Sequence, residues 1–152
     1  MNDETQLPRA GVLRRLGALI YDALLAMAIS MAYGGIAVYV RYGLLEETLA
    51  EGEKAQSGPI EFMGMILALS LFFCFFWKRA GQTLGMRAWR LRLQTPDGHL
   101  PNWRQCYLRA ALAPFSLMFF GLGYLWCLVD KNGDAAHDRL GGLQVVTLPK
   151  GK

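Results

Sequence analysis

The run from Leu16 to Val40 limits this chain more than any other feature: twenty-five residues carry a single charge, Asp22. As a helix rising about 1.5 Å per residue it measures roughly 37 Å, enough to cross a hydrocarbon core of about 30 Å with some tilt. A cleavable signal sequence is the rival reading, because Arg14 and Arg15 precede the run and Ala26-Met27-Ala28 has the form of a cleavage site. The acid inside the run, and the twelve apolar-rich residues after Ala28, favour a retained span.

Two further apolar blocks follow. The second, from about Ile60 to Trp77, ends in Trp77-Lys78-Arg79, the aromatic-then-basic order expected at a membrane interface. The third, Ala110 to Val129, carries no charge but is interrupted by Pro114 and by Gly121-Leu122-Gly123, so its helix is expected to break. Apolar residues make up 53% of the chain and charged ones 18%, and the charges lie between the blocks, which sets the chain apart from a soluble domain.

The loops orient the spans. Residues 41–59 hold two basic residues against four acidic ones, Glu46, Glu47, Glu51 and Glu53. Residues 78–109 hold seven basic residues against Asp97 alone. The positive-inside rule puts the second loop in the cytoplasm, the first outside, and the N-terminus inside. A complete third crossing would leave Lys131 to Lys152 outside. Two short segments argue otherwise: Trp89–Gln94 alternates with period two and ends in the turn signal Pro96-Asp97-Gly98, and Leu143–Leu148 is also strand-like. An isolated short strand does not persist, but these two can pair if both are cytoplasmic. The third block, too short for two crossings, would then enter and return. The expected fold is an all-α membrane protein, one domain over residues 1–152, forming a small transmembrane helical bundle with a short cytoplasmic β pairing.

Several functional classes lose support. The net charge of +4 suggests nucleic acid in a soluble protein, but here the basic residues flank apolar blocks, and no nucleic acid is expected. Arg87 to Arg109, interleaved with Trp89, Trp103 and Tyr107, suits anionic lipid headgroups. Cys74, Cys106 and Cys127 share no metal-ligand spacing and read as free thiols. With His99 and His137 the only imidazoles, no metal and no cofactor is expected. Gly81-Gln82-Thr83-Leu84-Gly85 permits a tight turn but lacks the lysine and length of a phosphate-cradling loop. No nucleophile–base pair is apparent, so no enzyme is expected.

The candidate site begins with Asp22. A carboxylate at the middle of a span costs about 2.5–3.5 kcal/mol on insertion scales, so it should face protein or water. Arg15 lies two turns earlier on nearly the same face and could reach towards it. Small residues continue the stripe at Ala18, Ala26, Ser30 and Gly34, where another helix could pack closely. Asp22 reads equally as a proton or cation site and as a structural acid that pairs with an arginine or caps a neighbouring helix. His137-Asp138-Arg139 reads either as a proton relay or, more economically, as hydrogen bonds that fix the tail to a helix end.

Taken together, Arg15-Leu16-Gly17-Ala18-Leu19-Ile20-Tyr21-Asp22, Gly81-Gln82-Thr83-Leu84-Gly85-Met86, Gly123-Tyr124-Leu125-Trp126 and His137-Asp138-Arg139-Leu140 resemble the RDD family of bacterial membrane proteins, from Ala10 to about Leu148. The family takes its name from one arginine and two aspartates. The resemblance implies that Arg15 and Asp22 are the first two and Asp138 the third, with His137, Arg139, Gln82 and Thr83 in support. Met86 departs from a position where the family often has a basic residue. The role implied is transport of a proton, cation or small ligand through Arg15, Asp22 and Asp138. The alternative is a non-catalytic scaffold or accessory subunit. Either would work as a homo-oligomer or with a membrane partner.

Overall fold

Helix α1, Val12–Val38, realises the first apolar block and runs on into a π-helical turn at Tyr39–Leu44. Helix α2, Pro59–Ala80, starts with Pro59 in its first turn, where no N–H is needed, and Glu61 favours the positive end of its dipole. Lys78 and Arg79 sit in its last turn, and Gly81 closes it in the left-handed conformation, φ 67°. Both helices are long and apolar enough to cross a membrane. They do not look like the core helices of a soluble protein, because their apolar side chains face outward: Met31 is 72% exposed and Ile60 85%. The computed structural model describes residues 7–45, 58–118, 122–128, 130 and 133–149. Glu46, Glu47, Glu51, Glu53, Gly121 and Lys131 lie outside these.

The chain leaves α2 through Gly81 into the short helix α3, Leu84–Ala88, and then strand β1, Leu91–Gln94. The turn at Pro96-Asp97-Gly98 forms as expected, with Thr95 and His99 hydrogen-bonded across it and Gly98 at φ 82°. Helix α4 spans Trp103–Met118 and contains Pro114. It begins a full two turns before the expected Ala110. Asn102 and Gln105 form a reciprocal capping box at 2.9 and 3.0 Å, which starts a helix regardless of hydropathy. At about 24 Å its sixteen residues fall short of a bilayer core. A short helix α5, Leu122–Leu125, a 3-10 turn at Trp126–Leu128, helix α6, Ala136–Leu140, and strand β2, Gln144–Thr147, complete the described chain.

β1 and β2 pair antiparallel, from Leu91 opposite Thr147 to Gln94 opposite Gln144. Two strands alone are marginal in water. Here the N-terminal segment adds a third row: the Ala10 N–H donates to the Val145 carbonyl at 3.0 Å, and the Thr147 N–H to that of Pro8 at 2.8 Å. Leu91, Leu93, Val145 and Val146 are buried, and with Trp77 and Cys106 they help form a core at this end of the molecule. The start of α1, the end of α2 and β2 therefore lie together, while Arg41 and Glu61 meet at 3.6 Å at the far end. The chain after α4 returns to the sheet through α6 and β2.

Candidate functional site

Asp138 sits on α6 at 0% exposure, between two arginines. Arg15, from the first turns of α1, donates through Nη1 to Asp138 Oδ2 at 2.7 Å; Arg109, from the middle of α4, donates through Nε to Oδ1 at the same distance. Arg15 also donates through Nε to the Ala10 carbonyl at 3.0 Å and through Nη2 to that of Gly133 at 3.2 Å. Arg109 lies over the Trp77 ring, 4.3 Å from its centroid. Burying a carboxylate is expensive unless it is paired and hydrogen-bonded, and this one has both. Burial alone would raise its pKa, but the guanidiniums of Arg109 and Arg15 win and hold it below the usual carboxylate value.

Asp22 does not meet Arg15. One turn of α1 separates the acid from the buried Ala18, where α3 crosses. There Asp22 Oδ2 accepts from the Thr83 hydroxyl at 2.6 Å and Oδ1 from the Gly85 N–H at 3.0 Å. Thr83 is itself the N-cap of α3, accepting from the Met86 N–H at 3.1 Å. Asp22 thus completes the cap of a neighbouring helix. The approach depends on Gly85: a Cβ there would strike the Ala18 carbonyl and lie 2.7 Å from Asp22 Oδ1. Arg15 turns away because Asp138 and two carbonyls at the sheet end satisfy its fork more fully.

The supporting residues divide. Thr83 joins Asp22, and Gln82 donates to the Leu91 carbonyl at 2.7 Å, tying the turn to β1. His137 Nδ1 lies 3.2 Å from Ser116 Oγ and its Nε2 3.5 Å from Asp138 Oδ1. A hydroxyl and an imidazole therefore meet although 21 residues separate them, a pair not apparent in the sequence. Burial pushes His137 down to about 4, so it is neutral near pH 7 and unsuited to a relay at that pH. Arg139 stays outside the cluster, on the surface, and pairs with Asp130. Next to it, burial raises the carboxyl of Asp134 against the pull of Arg9 and Arg15.

Arg109 is the member the sequence reading left among the loop cations. Its signal was the Asn102–Gln105 capping box, which puts Arg109 two turns inside a helix instead of in a loop. The small-residue stripe of α1 is only partly a packing face. Ala18 is buried under α3, whereas Ala26 looks into a cleft of about 500 Å³ between α1, α2 and α4. Arg15 and Arg109 line that cleft at its sheet end, Asp22 and Ser70 add polar groups further along, and apolar side chains line the rest.

Two long outward-facing apolar helices, with a buried Arg–Asp–Arg cluster at one end tying α1 to α4 and α6, define a helical protein built for a membrane. The chain belongs to the RDD family, whose model matches residues 9–142. No curated protein and no solved structure matches it.

Proposed function

We propose that the chain is a multi-pass inner-membrane protein that moves a proton, cation or small ligand, with the cleft between α1, α2 and α4 as its site. The observation that carries this reading is that Asp22, Arg15 and Arg109 all border one cleft between α1, α2 and α4. Both termini and the sheet face the cytoplasm, as the excess of arginine and lysine in residues 78–109 favours. Exposed Trp89, Trp103 and Tyr107, among the basic residues of this end, contact anionic headgroups. Two long helices cannot enclose a pathway, so a homo-oligomer or a membrane partner completes it.

A second reading, a non-catalytic membrane scaffold, draws on a different observation: Arg15, Asp22 and Asp138 each have hydrogen-bond partners within the chain. Flux in liposomes separates the two. Proton- or cation-driven flux in the wild type, lost in a well-folded Asp22→Asn protein, supports transport. Absence of flux in both, with both folded, rules out proton and cation transport and favours the scaffold over them.

A further inference from the structure

Helix α3 closes the sheet end of the cleft. Its Met86, 5% exposed, forms part of the cleft wall together with Leu91 and Val145 from the strands. Five residues do not make a helix that stands alone in water, so α3 exists by what holds it. At its start Thr83 does two things at once: its hydroxyl donates to Asp22 Oδ2 at 2.6 Å and accepts from the Met86 N–H at 3.1 Å. The second tie is the Gly85 N–H, which donates to Asp22 Oδ1 at 3.0 Å. Both ties end on a carboxylate that itself borders the cleft. Its oxygens offer about four lone pairs, and these donors occupy two. A ligand in the cleft and the cap of α3 therefore meet at one acid.

The flanks of α3 are built differently from its middle. Before it, the Gly81 carbonyl accepts from the Leu93 N–H at 2.7 Å, and Gln82 donates to the Leu91 carbonyl. After it, the Arg90 carbonyl accepts from the Leu148 N–H at 2.8 Å, so both flanks are fixed at the sheet. Arg90 also holds a left-handed φ of 56°, the one non-glycine to do so among the described residues. Such strain persists only where the surroundings enforce it, and it collects at segments that switch. We propose that α3 is a gate at the sheet end of the cleft and that Asp22 is its latch. When a proton or a cation neutralises the carboxylate, Thr83 and Gly85 lose a charged acceptor, α3 lifts from α1, and Met86 leaves the wall. Hydrogen bonds to an ionised acceptor are about twice as strong as those between neutral groups, so the charge decides the position of α3. The charged groups that line the cleft with Asp22 are Arg15 of α1 and Arg109 of α4, both bound to Asp138. Facing them, α2 brings the polar Ser70 and α3 brings Met86, its Arg87 being exposed to solvent. This deepens the reading above by giving its site a control, and it rests on Asp22 being that site.

The test is hydrogen exchange of the full-length protein in lipid nanodiscs, read by mass spectrometry at the α3 amides and, for comparison, in β1. Each rate is divided by that of the unstructured chain at the same pH. Neutralising Asp22 should lower protection in α3 about five-fold and leave β1 unchanged. A loss on acidification from pH 8 to 5 identifies the proton as the agent. A loss at pH 8 when sodium chloride replaces choline chloride identifies a cation. Asp22→Asn should exchange about five-fold faster in α3 at pH 8 and respond to neither treatment. It keeps His137, so any slope that His137 contributes appears in both proteins. Gly85→Ala, with no room against the Ala18 carbonyl, should exchange fast in α3 at pH 8 although its acid is intact. Wild-type α3 that responds to neither treatment, α3 and β1 losing protection together, or wild-type exchange in Asp22→Asn would each overturn the proposal. Exchange needs no gradient, so a responsive α3 without flux counts against transport alone, and flux past an unresponsive α3 counts against the gate alone.

Discussion

With both oxygens of Asp138 held at 2.7 Å by arginines from α1 and α4, its replacement leaves two buried guanidiniums without their counter-charge. Asp138→Asn should therefore cost about 3–5 kcal/mol, read as lost folded yield or a lowered melting temperature in detergent. Asp22→Asn should cost about 1 kcal/mol, because the amide oxygen still accepts from Gly85. Equal losses in the two variants would contradict this division of roles. His137 sets a pH dependence. Its folded value of about 4 lies below the 6.5 of the free side chain, so the unfolded chain binds the proton first. Stability is full above pH 6.5 and declines as pH falls towards 4, by about 3 kcal/mol at most. His137→Gln should flatten the melting temperature across that window; an unchanged slope would assign it to other groups. Of these residues Arg15 and Asp22 were legible in the sequence beside and within an apolar run, and Asp138 through His137-Asp138-Arg139 and the family resemblance. Their pairing was not, since Arg15 and Asp138 stand 123 residues apart.

Among the elements, α3 is the one whose placement depends on missing side chains. It lies against α1 where Gly85 meets the Ala18 carbonyl, and the following Trp89 packs where Gly17 has no Cβ. Gly85→Ala has no room on the backbone side and should push α3 off α1, costing about 1–3 kcal/mol. Because Asp22 would lose Gly85 as its donor, proton exchange at that amide should quicken in the same variant. An unaltered melting temperature would show that the two helices do not depend on close approach. The end of α2 followed from Trp77-Lys78-Arg79 and the turn glycine Gly81, and its start at Pro59 lies one residue before the apolar block. The start of α4 did not follow from hydropathy, because its first two turns are polar and the capping box, not the apolar block, begins it.

For the molecule as a whole, the sheet is the joint that returns the tail to the head. Pro8–Ala10, β1 and β2 form one hydrogen-bonded layer, so the first and last described segments lie at the same end. Reporter fusions at either terminus should place both in the cytoplasm, and a cysteine in residues 46–57 should be labelled from outside by an impermeant reagent. Opposite sides for the two termini would rule out the sheet in the membrane-bound protein.

Length and apolarity by themselves determined two helices able to cross a bilayer, and loop charge suggested their direction, because water and lipid act on each segment separately. Strand pairing was also within reach, since β periodicity and a turn signal are local. What only the tertiary structure decided was who meets whom. Arg15 had two acids to choose from, and it took Asp138 because the returning chain brought that acid and the Gly133 carbonyl to the buried side where the Ala10 carbonyl already lies. Asp22 was left to α3, through a threonine and a glycine whose roles exist only once the helices touch.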